Sequence, residues 1–167
     1  LVVTGDRDAF QLIRPGLTVM FTKKGISELE AYDEAAFEQA YGLVPAQLVD
    51  LKGLMGDTSD NIPGVPGVGP KTATKLLAAY GSLEAVLLHI EEVSGKKLKE
   101  RLRENEAMAV LSKKLARIDC NVPLEFTAEA YEITPDYDRL GEFCRRYEMR
   151  SVLKNIVQQP ALALDGL

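Results

Sequence analysis

Between residues 56 and 69 the chain places Gly56, Gly64, Gly67 and Gly69 together with Pro63 and Pro66. No regular helix runs through that density of glycine and proline, and proline has no amide to give an interior strand. The segment is a loop, and its flanks are helical. Upstream, Pro45 suits a first helical turn, and Leu48, Leu51 and Met55 fall near one face. Downstream, Pro70 opens a helix through Tyr80 with Leu76 and Leu77 inward and Gly81 as its stop. Two helices joined by a glycine-rich connector are therefore expected in the middle of the chain.

Around that centre the reading is α/β but mostly helical. Leu1-Val2-Val3 is an apolar run leading into Thr4-Gly5-Asp6 and predicts a buried strand. A buried parallel strand needs neighbours on both sides, and few similar runs follow, so the chain reads as part of a larger fold. A short helical stretch is expected from Asp8 to Ile13. Residues 17–22 and 26–30 are expected as paired strands about a turn at Lys23-Lys24-Gly25. Asp33 is placed to cap a helix over 34–41, ended by Gly42, and Ser82 to cap one over 83–91. A single long helix is expected over 96–117, with Leu98, Leu102, Leu111, Leu115 and Ile118 as its apolar stripe. Residues 121–126 read as extended. Pro135-Asp136 opens the last helix, with Leu140, Phe143 and Tyr147, and the text from Val157 reads as linker. No internal repeat is present.

Charge is distributed unevenly. The net charge is −5, yet residues 62–118 hold 10 basic and 6 acidic side chains, against 5 and 10 in 1–61 and 5 and 9 in 119–167. A positive middle between negative ends suggests a polyanion-binding element beside a carboxylate-rich one. A solvated lysine-rich helix would look the same. The two cysteines, Cys120 and Cys144, are too few for a disulfide framework, which favours a reducing, cytoplasmic setting. The single histidine, His89, sits in Leu87-Leu88-His89-Ile90 and reads as a helix-surface or satisfied residue. No apolar run reaches the ~18 residues of a membrane span, so no membrane partner is expected.

Three segments can carry chemistry. Asp6 and Asp8 lie at the exit of the first strand and share a side if the backbone stays extended, where carboxylates suit a hard cation such as Mg²⁺ or Mn²⁺. A helix cap plus a turn acid is the structural alternative. In Gly56-Asp57-Thr58-Ser59-Asp60-Asn61, two aspartates three apart would share one face of a helical turn, although all these residues also cap well. Four aspartates with almost no histidine or cysteine favour a hard-metal site, and paired metals would serve phosphodiester hydrolysis. In Ile62–Ala73, Gly67 and Gly69 would let a phosphate approach the amides of a helix N-terminus, and Lys71 and Lys75 share a helix face. A dinucleotide site is rejected, because Val65-Pro66 is no central strand. A purely structural helix–loop–helix stays open.

The run from Asp50 through Gly56-Asp57-Thr58-Ser59-Asp60-Asn61-Ile62-Pro63-Gly64-Val65-Pro66-Gly67-Val68-Gly69 closely resembles the 5′ nuclease domain of bacterial DNA polymerase I, within the flap endonuclease superfamily. The resemblance spans about residues 1–155. It implies half of a three-layer α/β nuclease core with a helix–hairpin–helix excursion. By resemblance, Asp6, Asp8, Asp57 and Asp60 are catalytic metal-site acids for Mg²⁺ or Mn²⁺ in a two-metal centre. Gly64, Gly67, Gly69, Lys71 and Lys75 belong to the DNA-gripping element, which can hold K⁺ on its carbonyls. Residues 1–61 then belong to the nuclease core, 62–118 to the helix–hairpin–helix region, 119–156 to a C-terminal return, and 157–167 to a linker toward a polymerase module. Further metal-binding acids and a helical arch would precede Leu1.

The implied function is a metal-dependent 5′-3′ exonuclease or flap endonuclease acting on duplex DNA with a 5′ flap or nick, in the nucleoid. One rival is a non-catalytic DNA-binding fragment. Another, an aspartate-nucleophile phosphatase using Asp6, gives the glycine-rich loop no role. Repulsion among the acids would make Asn variants more stable without metal. The isolated chain is expected to be marginally stable and not to cut.

Overall fold

The computed structural model describes residues 1–24, 28–125, 127–132 and 135–158. Three strands form one sheet in the order β1 (Val2–Thr4), β2 (Val19–Lys24), β3 (Glu28–Tyr32). β1 pairs parallel with β2, matching Val3 to Met20, and β2 pairs antiparallel with β3, matching Met20 to Ala31. The β2–β3 pair lies two residues downstream of the expected strands, and Gly25 of the expected turn and residues 26–27 of the expected second strand lie outside the described residues. Among the described residues nothing pairs with the outer edge of β1, and Val3 is 64% exposed there. An unpaired apolar edge of this kind is a surface that another strand can cover.

Phe10 fastens the sheet to the first helix. It sits in the 3₁₀ turn Arg7–Leu12, fully buried, with ring centroids 4.6 Å from Tyr32, 5.4 Å from Phe21 and 5.9 Å from Phe37. Phe37 belongs to α1 (Glu34–Tyr41), capped by the Asp33 carboxylate and closed at Gly42 as the sequence predicts. A short 3₁₀ turn at Pro45–Gln47 leads into α2 (Leu48–Met55).

α2 is buried from Leu48 to Leu54 and packs against α3 (Pro70–Tyr80), α4 (Leu83–Leu88) and α6 (Glu106–Ala116). Its closest approach is to α6. A Cβ on Gly53 would lie 2.9 Å from the Lys113 Cβ, and α6 answers with the small buried residues Ala109, Ser112 and Ala116. This corrects the expected long helix over 96–117. The chain forms α5 (Lys96–Glu104) and α6, broken at Asn105, whose side-chain amide donates to the Arg101 carbonyl at 2.9 Å. The break re-aims the stripe. Leu102 stays buried, while Leu111 and Leu115 are exposed.

The helix expected over 83–91 ends at Leu88, followed by a 3₁₀ turn at Ile90–Glu92. His89 Nδ1 lies 2.9 Å from the Ala85 carbonyl, and the ring stacks on Tyr80, the satisfied role expected of it. Residues 1–120 form one compact unit, and 121–167 form a second. In the second unit the expected extended stretch 121–126 forms no regular element over its described residues, and Phe126 lies outside them. α7 (Tyr137–Arg146) begins at its Asp136 cap, but the buried side of the helix holds Cys144, and Phe143 and Tyr147 are exposed. α8 (Arg150–Gln158) was not anticipated: the expected linker starts inside it, and residues 159–167 lie outside the described chain.

Gly64 closes the central loop onto α2. Its φ is +61°, and a Cβ there would come within 2.1 Å of the Gly56 nitrogen. Gly69 has ordinary extended backbone and open space around a would-be Cβ. Gly64→Ala should therefore cost more than about 2 kcal/mol, while Gly69→Ala should stay within about 1 kcal/mol. Urea unfolding of both variants checks the ranking, and equal losses would contradict this packing.

Candidate metal centre and nucleic-acid interface

Asp8 is held by its neighbour two residues back. Burial of Phe10 fixes the Arg7–Leu12 turn, and the Asp6 carboxylate caps that turn by accepting from the Asp8 amide at 2.9 Å. Asp6 thus makes the capping bond that the structural alternative foresaw, while its residue also lines the cavity beside Asp8.

Asp57 and Asp60 arrive from the other side. The chain does not form the helical turn that their spacing suggests. Asp57 and Ile62 exchange two backbone hydrogen bonds of 2.8 Å, which folds residues 57–62 into a closed reversal with Asn61 in the left-handed region. Within it the Asp57 carboxylate accepts from the Ser59 amide at 2.9 Å. The reversal turns Asp60 back toward Asp57, and carboxylate oxygens of Asp8, Asp57 and Asp60 all lie within 4.8 Å of one another. An open cavity of about 740 Å³ exposes them, with Gly5, Asp6, Pro63 and Pro70 also in its wall.

The sequence reading assigned no role to the residue at the centre of this cluster. Lys52 is the single cation of α2, and its side chain is only 6% exposed. Its ammonium donates to Asp8 and lies 2.7 Å from Asp57 Oδ2 and 3.7 Å from Asp60 Oδ2. A signal did exist, since the only lysine of a mostly apolar helix, five residues before Asp57, must find an anion or reach water. The Lys52 hydrogen bond, helped by Ser59, holds the Asp57 carboxyl down at about 2. That attraction removes the repulsion expected to make an Asn variant at Asp57 more stable.

Asp50 and Lys113 form a second buried pair on α2. The Asp50 carboxylate accepts from Lys113 at 2.6 Å and from the Leu83 amide at 2.9 Å, and Lys113 also reaches Glu84 at 2.7 Å. This network ties α2, α4 and α6 together and lies outside the cavity wall.

The glycine-rich loop leads from this cavity to an exposed basic face. Gly67 has φ +77° and is exposed, and Arg101 of α5 donates to its carbonyl at 3.2 Å. Gly69 is the exposed N-cap residue of α3, and Lys71 and Lys75 follow, both exposed and without an ion-pair partner among the described residues. Gly64 is different from the expectation placed on it. Its amide donates to the Ser112 hydroxyl at 3.0 Å and is buried, so Gly64 shapes the loop and offers no donor to a phosphate.

The small sheet backed by helices has its likeness among solved 5′ nucleases. The T5 5′-exonuclease with bound zinc superposes with a TM-score of 0.60 at 22% identity, over 68% of this chain and 41% of that one. The catalytic core of Rad2 in complex with DNA gives 0.58 at 20% identity, over 94% and 56%. The chain belongs to the 5′-3′ exonuclease family with the C-terminal SAM fold, whose profile matches residues 43–139. It is similar to DNA polymerase I of Bacillus caldotenax, 56% identical over 128 residues, and to that of Mycobacterium leprae (strain TN), 42% identical over 167. These matches take in 77% and 99% of the chain, which spans only 15% and 18% of the two relatives.

The depressed Asp57 value has a defined consequence. An acid whose folded pKa lies below the ordinary ~3.9 stabilises the fold above that value and loses the contribution as it is protonated. Without divalent metal, the stability gap between the protein and Asp57→Asn should narrow as the pH falls from about 4 toward about 2. Urea midpoints across that range measure it, and a gap independent of pH would remove the Lys52–Asp57 contact from the account.

Proposed function

We propose that this chain carries part of the metal centre and the DNA grip of a 5′-3′ exonuclease or flap endonuclease of the DNA polymerase I type. The observation that supports this best is the meeting of Asp8, Asp57 and Asp60 in a cavity whose wall continues into the glycine-rich loop. Hard oxygen donors at that separation fit Mg²⁺ or Mn²⁺, with Asp6 adjacent as a further oxygen source. Such ions, when bound, would neutralise the scissile phosphate and activate water. The chain's own part is to fix the carboxylates and to hold the duplex near them.

In this reading residues 1–61 supply the acids and 62–118 form a helix–hairpin–helix. Gly67 and Gly69 admit phosphate to the start of α3, and Lys71 and Lys75 neutralise the same strand. Arg101 holds the Gly67 carbonyl in place, and K⁺ on neighbouring hairpin carbonyls would complete the grip. Contacts of this kind are blind to sequence and select shape, which suits a nick or a 5′ flap on nucleoid DNA. Among the described residues no helix is long and apolar enough to cross a membrane.

Two ions need more oxygen ligands than Asp6, Asp8, Asp57 and Asp60 provide. The 167-residue chain alone is therefore expected to bind duplex DNA weakly and not to cut it. Chelator-sensitive cutting of a 5′-flap substrate by the chain alone would contradict that ligand count. In a polypeptide of the relatives' length, Asp57→Asn should lower cleavage roughly 100-fold or more while leaving DNA affinity within about twofold. Equal losses in both would point to a folding role for Asp57.

Lys71→Ala with Lys75→Ala should do the opposite, weakening binding to unrelated duplexes alike. Each lost phosphate contact should flatten the dependence of log K on log salt by about 0.9. An unchanged slope would place the DNA elsewhere.

A further inference from the structure

Lys52 has no place in a plain account of carboxylates waiting for a metal. Its Nζ atom stands among the three aspartates, in contact with Asp8 and Asp57 and 3.7 Å from Asp60. A magnesium-sized ion needs oxygens at ~2.0–2.1 Å around its own centre, and the ammonium occupies the space among the three carboxylates that would supply them. Two cations cannot share it. The lysine stem is flexible and Lys52 lines the same open cavity as the three aspartates, so the ammonium can swing aside within it without moving α2.

We infer that Lys52 is a built-in counter-cation of the metal centre, which holds Asp8, Asp57 and Asp60 together in the metal-free protein and must be displaced when a divalent ion binds. The inference rests on the metal reading above and adds a property to it. The carboxylates are preorganised without metal, and metal affinity is lowered by the cost of expelling the ammonium. The ammonium's contacts also explain why the three acids stay together against their mutual repulsion. An unpaired set of three acids would cost far more than the same set around one cation.

The test uses binding, not cleavage. In the full chain, Lys52→Met keeps the stem and removes the charge. Its Mn²⁺ affinity, read from free-ion electron paramagnetic resonance, should be at least about tenfold higher than that of the unaltered protein, equivalent to ~1.4 kcal/mol. Its thermal midpoint without metal should be lower, and the rise on adding Mn²⁺ larger. Lys52→Arg should behave like the unaltered protein in both respects.

A second measurement needs no variant and so survives misfolding of Lys52→Met. The side-chain ammonium of Lys52 should give a protected ¹⁵N-detected signal in metal-free protein and lose that protection as Mg²⁺ is titrated. Lower Mn²⁺ affinity in Lys52→Met, or an ammonium signal unmoved by saturating Mg²⁺, would overturn the inference while leaving a metal site in place. Failure of Mn²⁺ to bind the unaltered protein and Asp57→Asn alike would instead remove the metal reading, and this inference with it.

Discussion

Helix α2 is buried along nearly its whole length and still carries two charges, Asp50 and Lys52. Buried charge is expensive unless it is met, and everything around the helix is arranged to meet it. Asp50 is satisfied on one side by Lys113 and the Leu83 amide, which draws α6 and α4 against α2. Lys52 is satisfied on the other by Asp8, from the distant Arg7–Leu12 turn, and by Asp57 and Asp60, from the reversal that follows the helix. The first pair builds the scaffold, and the second assembles the site. Replacing Lys52 by an apolar residue of similar length would leave the packing of α2 but not the convergence of the acids.

The loops that deliver those acids are held as tightly as the helix. Phe10 in its aromatic nest sets the position of Asp8, and the paired bonds between Asp57 and Ile62 set that of Asp57 and Asp60. Gly64 packs on Gly56 and gives its amide to Ser112, so the same stretch that closes the acidic reversal also anchors the start of the glycine-rich loop. The acidic cluster and the proposed DNA grip are consequently two ends of one loop. A change in the packing of Ser112 or Gly64 would be felt at both.

Much of this could be read from the residues. Local signals were sound where a side chain acts on its own backbone: Asp33, Ser82 and Asp136 cap the helices they announce, and Pro70 and Gly81 bound α3. The pairing of aspartates at 6–8 and 57–60 was legible, and Asp8, Asp57 and Asp60 do come together. What failed depends on contacts distant in sequence. The stripe from Leu98 to Ile118 reads as one helix, but Asn105 breaks it, and the close approach to Gly53 selects Ala109, Ser112 and Ala116 for burial instead of the leucines. Lys52 was overlooked because a lysine within a helix normally reaches water, and nothing local shows that Asp8 lies within its reach. Gly64 was placed in the DNA grip by resemblance, which does not separate an exposed donor from an amide already given to Ser112.

The central claim is that Asp8, Asp57 and Asp60 form one divalent-cation site. Anomalous diffraction from crystals of the protein soaked in Mn²⁺ tests it most directly. The account predicts a peak between these three side chains, with their oxygens about 2.0–2.2 Å away and the Lys52 ammonium moved aside. A cluster that keeps Lys52 in place at saturating Mn²⁺, with the peak elsewhere or absent, would contradict it.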